Sequence, residues 1–315
     1  VPSAVLIKTS LTAAKGNAIS TFFAGLLSQE GLDIAAAAVA GKRSPMCILA
    51  LEPEKRDALG MDFIAKIEAL NCTVQVNSRH EFAFRMLAGS QFTASGLCVT
   101  GGAYTGFLIK LSPEPTVGCP PQLDPLADIA APDVTGCDYH NMSLLNHTGK
   151  LQPGVYCGGL TIHGGSDVEL AEGLYVIKDG PLSISDTSRV SGNAITFFLT
   201  GETARIHFED RSELTLTAPT AGELAGILAF QDRGFGGDHI WDSAAPTTLH
   251  GTIYLPEGRL ISQSSNAITP VNSCNVLIVK SLRFKLKSSV SIDLGQKDCR
   301  QYLPAAVLGT VALLD

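Results

Sequence analysis

The residues with chemistry to offer in this chain are eight cysteines, seven histidines and two knots of carboxylates. The cysteines, in order Cys47, Cys72, Cys98, Cys119, Cys137, Cys157, Cys274 and Cys299, fall into neighbouring pairs 25, 21, 20 and 25 residues apart. No Cys-x-x-Cys or His-x-x-x-His spacing accompanies them, so the pattern is not that of a zinc site, and an even count points to disulfides in an oxidising compartment. The count alone leaves about 105 pairings open. Among the carboxylates, Asp232, Arg233, Asp238, His239 and Asp242 follow Phe230 in a Gly-rich stretch, and Glu209, Asp210, Arg211 and Glu213 form a second group. Paired carboxylates would suit glycoside hydrolysis, and carboxylates holding Ca²⁺ beside a basic residue would suit a polysaccharide lyase. Against this, Gly234, Gly236 and Gly237 read as a mobile turn, whereas catalysis needs preorganised groups. A structural ion pair or loop clamp is therefore the favoured reading of the first group, and a solvated edge that of the second. His140 and His147 are a close pair, but seven residues of loop do not prescribe metal geometry. No Gly-x-Ser-x-Gly elbow is present. The lone tryptophan, Trp241, reads as a buried loop residue in preference to an exposed anchor. No catalytic, cofactor-binding or metal-binding residue is assigned.

The elements that must carry these residues are written as repeats. Pro-Gly-Val-Tyr at 153–156 returns as Glu-Gly-Leu-Tyr at 172–175, and Leu160, Ile162 and Val168 return as Leu182, Ile184 and Val190. Each unit alternates at strand period, breaks at Gly, Ser, Asp or Asn, and alternates again. That is how the coil of a β-solenoid is written, and such units bury their apolar faces only by stacking on one another. The expected fold is mostly β, a right-handed parallel β-helix with a small N-terminal α/β cap. Equivalent positions on stacked coils lie about 4.8 Å apart, within the Cα separation a disulfide needs. Pairing each cysteine with its neighbour, one coil away, is thus geometrically easy.

Composition bounds the function. The 315 residues are 45% hydrophobic and only 17% charged, with a formal net charge of -7. That balance argues against nucleic acid or an anionic membrane as a partner. Leu32 to Gly41 contains Asp33, and Ala306 to Leu314 is far short of the roughly 20 apolar residues a spanning helix needs. The chain begins at Val1 with no charged leader and is read as a processed or truncated product.

Three regions separate along the chain. Residues 1–45 are expected to form an α/β cap or docking segment. Val1 to Thr9 reads as a strand, Ile19, Phe22, Phe23, Leu26 and Leu27 as one face of a helix, and Leu32 to Ala40 as a strand of small residues. Residues 46–315 are expected to form the β-helix, interrupted at about 112–150 by a Pro-rich loop wrapped on the surface and stapled down. Within the first β block, Met61 to Leu70 has helical spacing at Phe63, Ile64 and Ile67. Both β blocks are expected to share one stack.

Several stretches carry a family resemblance. They are Leu151-Gln-Pro-Gly-Val-Tyr-Cys-Gly-Gly-Leu, Gly173-Leu-Tyr-Val-Ile, Ile195-Thr-Phe-Phe-Leu-Thr-Gly, Ala225-Gly-Ile-Leu-Ala-Phe-Gln-Asp-Arg, Leu249-His-Gly-Thr-Ile-Tyr-Leu-Pro and Val311-Ala-Leu-Leu-Asp. Together with Cys47-Ile-Leu-Ala-Leu-Glu-Pro and Leu97-Cys-Val-Thr-Gly-Gly, they resemble TadG-type proteins of the bacterial Tad (Flp) pilus-assembly machinery. The resemblance runs from about Phe22 to Asp315. It implies a non-enzymatic pilus-assembly accessory or minor pilin-like protein, whose partners are minor pilins and other Tad components. It also implies the periplasmic or extracellular ectodomain of a protein anchored in the inner membrane by a preceding helix. The family's motifs are structural, so no functional residue is carried over. Lys66, Glu68, Arg79, His80, Arg283, Lys285 and Lys287 depart from its Ser, Gly and Asn-rich repeats and are candidates for a partner face. The rival readings are a carbohydrate-active β-helix enzyme and a surface adhesin. Ile195 to Gly201 is the most hydrophobic strand, and on an exposed edge it would suit strand addition to a partner.

Overall fold

The computed structural model describes residues 4–16, 34–42, 44–243, 245, 247–263, 274–308 and 311–314. They divide into two compact units, residues 1–44 with 309–315, and residues 45–308.

The smaller unit is an antiparallel three-stranded sheet in which Ala4–Leu11 pairs with Ile34–Lys42, which in turn pairs with Val311–Leu314. The expected helix over Ile19 to Leu27 lies outside the described residues. The closing Val311-Ala-Leu-Leu, expected in the large β body, instead completes the sheet begun at the N-terminus.

The larger unit is mostly β, and every strand pairing in it is parallel. The chain visits three ladders in turn. Gly173–Lys178, Pro181–Ile184 and Arg189–Gly192 occupy the first, second and third, and one circuit later Ile195–Thr200, Arg205–Phe208 and Glu213–Thr217 lie directly on them. Alternation sorts the side chains: in Asp167–Leu170 and Arg189–Gly192 every second residue is buried, as the period of a pleated strand requires. The inward rows are continuous. On the second ladder one row runs Leu160, Leu182, Ile206, His239, Leu260, Leu282, Leu59 and Phe84.

That row also exposes the order of the stack, which is not the order of the chain. Cys274–Phe284 pairs with Met46–Ala50 and Leu59–Met61, and Ser289–Asp293 pairs with Lys66–Val76. The N-terminal β block therefore stacks beyond the last circuit of the C-terminal block. The two blocks share one stack, joined at a seam whose two sides are more than two hundred residues apart in sequence. Met61 to Leu70 is not helical, because Leu59–Met61 and Lys66–Val76 are ladder strands at this seam. The helical spacing of Phe63 and Ile64 arises in the turn between them, where both side chains are exposed.

Four disulfides join Cys47 to Cys72, Cys98 to Cys119, Cys137 to Cys157, and Cys274 to Cys299, with Cα separations of 5.2 to 5.9 Å. They link each cysteine to its sequence neighbour, as stacked parallel strands favour. Disulfides in this number belong to an oxidising, extracytoplasmic environment. No helix among the described residues is long and apolar enough to cross a membrane.

Candidate functional site

Because the seam puts residue 117 at one end of the stack and residue 139 at the other, the intervening segment must travel back along the whole body. The first ladder is built to receive it. Its strands read as unbroken apolar runs, Ile195-Thr-Phe-Phe-Leu, Ile227-Leu-Ala-Phe and Cys47-Ile-Leu-Ala, and are buried on both faces. Phe197, Ala229 and Ile253 point inward, so the next row, Phe198, Phe230, Tyr254, Ile278, Leu49, Gln75 and Cys98, faces out. Residues 119–137 lie on this outward row as a strap.

The strap is fastened step by step down the stack. Cys119 is bonded to Cys98. Gln75 Nε2 donates to the Pro120 carbonyl (3.3 Å), and Asn77 exchanges two hydrogen bonds with the Gln122 backbone. The Tyr254 hydroxyl donates to Asp124 (2.7 Å) and accepts from Arg233 Nε (3.0 Å). Arg233 then donates to the Ile129 and Leu126 carbonyls, its guanidinium resting 5.2 Å from both the Phe230 and Tyr254 ring centroids. Leu126 is fully buried, and Cys137 closes the lower end on Cys157. Burial first, and then the Asp124 carboxylate, push the Tyr254 hydroxyl well above its ordinary pKa. Arg233 is thus the loop clamp its sequence suggested, with the strap carbonyls as its partners. The surface-wrapped Pro-rich segment is this strap. The Ile195 strand lies within the ladder beneath the strap's face of the body, and it is not a free edge.

Charge gathers elsewhere, at the seam. Arg283 and Arg85 flank Gly60 on the outside of the second ladder. Asp57 and Asp62 bridge them: Arg85 Nη2 donates to Asp57 (2.8 Å), and Arg283 reaches Asp62 (2.9 Å) and Asp57 (3.2 Å). The hydrogen bonds that Arg85 donates to Asp57 raise its pKa against the opposing effect of burial. A backbone without Cβ at Gly60 lets the aliphatic stem of Arg283 cross it, since an added Cβ would sit 3.3 Å from Arg283 Cδ. Beside this network a groove of about 520 Å³ runs over the same corner, lined by Glu52, Lys55, Arg56, Asp57, Asp238, Glu257, Arg259, Lys280 and Arg283. Most of its carboxylates are already partnered. Asp238 receives a two-point contact from Arg259 (2.6 and 2.9 Å), Glu257 pairs with Lys280 (2.6 Å), and Glu52 accepts from the Glu54 and Lys55 amides (3.2 Å each).

The two carboxylate groups singled out by sequence are dispersed by this architecture. Asp238 and His239 are consecutive in the strand Gly237–Trp241, and so point to opposite sides. Asp232 accepts from Thr200 (2.8 Å) and the Gly234 amide (2.9 Å), while Asp242 follows the strand, its amide donating to Phe208. The Gly-rich stretch is therefore a turn at 233–234 followed by the strand Gly237–Trp241. In the second group, Glu213 pairs with Arg189 (2.9 Å). Asp210 belongs to a corner ladder, accepting from the Asp186 amide (3.1 Å) while Asp186 accepts from that of Gly164 (2.6 Å). Of the charged departures from the repeat, Arg283 belongs to the seam, Lys66 pairs with Glu68 (2.8 Å) and Lys285 donates to Gln263 (3.2 Å). Among the described residues no three His, Cys, Asp or Glu side chains are grouped so that they could hold a metal ion, those of His140 and His147 included.

Inside, Trp241 is 4% exposed and edge-on to Phe208 (5.2 Å between centroids). His239 occupies the row of leucines. Its Nδ1 accepts the Ile206 amide (3.1 Å), and burial, aided by Arg205, drives its pKa down to about 3. The strap's route and the seam were missed from sequence because both depend on which circuit the N-terminal block joins. The one available signal was the run of strands apolar at every position, which calls for cover on both faces. No family model, curated protein or solved structure matches the chain.

Proposed function

We propose that this chain is a non-enzymatic, exported binding protein, a right-handed parallel β-helix acting as an assembly accessory or minor pilin-like component of a Tad (Flp) pilus. The observation that carries the non-catalytic part is the use made of the chemically capable residues. Arg233 holds the strap, Asp57 and Asp62 hold the seam, Asp210 holds a corner, and Asp238 and His239 are turned to opposite faces. Catalysis calls for such groups to converge on one point, whereas here each sustains the body. A stack closed by four disulfides offers a rigid lateral face and two ends for protein contacts, as repeat architectures do. The pilus assignment rests on the sequence resemblance, and its partners would be minor pilins and other Tad components.

A carbohydrate-active enzyme is the second reading. The seam groove favours it, since Asp57, Asp238 and Glu257 stand there among cations. Affinity capture from a periplasmic extract, read by mass spectrometry, separates the two when run beside a turnover assay on acidic polysaccharides. Recovery of pilus components without turnover supports the assembly role. Turnover that is lost in Asp238→Asn would overturn it.

A further inference from the structure

Between the second and third ladders the chain turns a corner of four residues. In three circuits of the C-terminal block that corner is polar: His163-Gly-Gly-Ser, Ser185-Asp-Thr-Ser and Glu209-Asp-Arg-Ser. On the four circuits at and beyond the seam it reads Lys285-Leu-Lys-Ser, Asp62-Phe-Ile-Ala, Leu87-Ala-Gly-Ser and Gly106-Phe-Leu-Ile. Phe63, Ile64, Phe107, Leu108 and Leu286 stand there 51 to 83% exposed, half of the ten large apolar side chains exposed among the described residues of this unit. They form one ridge. The amides of Lys287, Ile64 and Gly89 donate to the carbonyls of Phe63, Ala88 and Phe107, tying the corners circuit to circuit. Gly89, without a Cβ, lets the Ile64 side chain lie across it, since an added Cβ would sit 3.3 Å from Ile64 Cγ1. Three spacings of about 4.8 Å make the ridge about 14 Å long.

Folding does not account for these side chains. Lys287, Ile64, Gly89 and Leu108 hold equivalent left-handed backbone positions, with φ of 59, 64, 76 and 54°. Glycine or asparagine suits that conformation, and a β-branched isoleucine is disfavoured in it. The polar corners of the C-terminal block make the same turn without apolar residues. The rim of the ridge is cationic. Lys285 and Lys287 flank Leu286, and Lys66 and Lys110 open third-ladder strands in one row with Ser289 and Gln91. Asp62 is taken up by Arg283 and Glu68 by Lys66, while Lys110, Lys285 and Lys287 form no ion pair among the described residues. The chain's formal charge of -7, which argued from sequence against an anionic membrane, is thus reversed locally at this corner.

We propose that this corner docks the protein on an anionic lipid surface, its five apolar side chains entering the boundary between headgroups and acyl chains and its lysines facing lipid phosphates. Apolar tips beside lysines match that boundary, where acyl chains receive the first and phosphates the second. A convex ridge enters a fluid layer without needing a matching groove, which a protein partner would have to supply. The amides of Lys287, Ile64 and Gly89 are already bonded from circuit to circuit, so the ridge carries none of them unpaired into a region short of water. This inference does not depend on the pilus assignment.

The test floats the purified full chain with vesicles of equal parts phosphatidylglycerol and phosphatidylcholine, beside vesicles of phosphatidylcholine alone. Binding is expected to the first only, and to weaken as salt is added. Phe107→Ser combined with Leu108→Ser, at the two most exposed sites of the ridge, is expected to abolish it. Lys285→Gln combined with Lys287→Gln is expected to lower affinity about 25-fold, about fivefold for each lysine. Leu145→Ser, an exposed apolar site at the other end of the stack, is the control and leaves binding unchanged. Thermal melts matching the wild type show that each variant is folded. No flotation with either vesicle, equal flotation with both, or binding retained by the Phe107 and Leu108 variant would overturn the proposal. Loss of a captured periplasmic protein in that variant, with vesicle binding absent from the wild type, would also overturn it and assign the ridge to a protein partner. Flotation uses purified protein, so its result stands whether or not pilus components are captured.

Discussion

Arg283 and Asp57 are 226 positions apart in the chain and 3.2 Å apart in space, Nη1 to Oδ2. Their contact fastens the last circuit of the C-terminal block to the first circuit of the N-terminal block, where chain connectivity contributes nothing. Asp57 and Asp62 are about 15% exposed at the side chain and Arg283 is 30% exposed. Removing one partner of a largely buried pair strands the other charge, at about 3–5 kcal/mol when burial is complete. Arg85 remains to neutralise both carboxylates here, and solvent reaches the site, so Arg283→Met is expected to cost about 1–2 kcal/mol. Urea unfolding of the two proteins measures it. An unchanged midpoint would mean that the seam is held by its ladder alone.

The strap is closed at each end by a disulfide, Cys98 to Cys119 and Cys137 to Cys157, spanning 21 and 20 residues. Loops of this size are stabilised by about 3 kcal/mol in the chain-entropy account. Replacing Cys119 and Cys98 together by Ser is expected to lower stability by about 2–4 kcal/mol. It should also open residues 120–124 to proteolysis before the rest of the body. Limited digestion with mass mapping reads the order of cleavage. First cuts elsewhere would show that hydrogen bonds hold the strap without its disulfide.

The legible part of this fold was the part that repeats. Leu160, Ile162 and Val168 against Leu182, Ile184 and Val190 announce stacked strands, and once strands stack, cysteines one circuit apart fall within bonding distance. The Asp232 and Glu209 groups could not be resolved by spacing, because their fate turns on whether each residue lies in a turn or on a given strand face. Register decides that, and a slip of one residue reverses every face. Met61 to Leu70 misled for a related reason: Phe63 and Ile64 sit in a turn, and their spacing to Ile67 reproduced a helical face by chance. The order of the stack was not written locally at all. It is set by Leu277 meeting Ile48 and Leu282 meeting Leu59, contacts between distant segments.

Tyr254 links the strap to the body by donating to Asp124 while accepting from Arg233. Tyr254→Phe keeps the ring under the Arg233 guanidinium but leaves the Asp124 carboxylate without this donor. A hydrogen bond to a charged group contributes about 1.5–3 kcal/mol, and Asp124 is partly solvated, so a loss near the lower figure is expected. Arg233→Lys should cost more, because an ammonium cannot reproduce the planar fork that spans two carbonyls and a phenol. The ranking, Lys at 233 worse than Phe at 254, is read from thermal melts. The reverse order would place the strength of the clamp in Asp124.

His239 gives the body an acid-sensitive point. Its neighbours in the row are Ile206 and Leu260, Gln231 lies beside it, and Arg205, His207 and Asp238 are the charged or titratable groups that act on it. Burial, with the Arg205 and His207 contributions, lowers its pKa to about 3 against the small opposing effect of Asp238, so the folded protein holds it neutral. The unfolded chain, with the ordinary value of about 6.5, binds the proton more readily. Between these values the unfolded state carries more protons, so stability rises with pH. The His239 contribution is complete above about 6.5 and is lost as pH falls toward 3. His239→Asn can keep an acceptor for the Ile206 amide and cannot titrate. Its stability is expected to vary less between pH 6.5 and 4 than that of the wild type, measured by urea midpoints at fixed ionic strength. Equal slopes for the two proteins would mean that protons reach His239 without unfolding the stack.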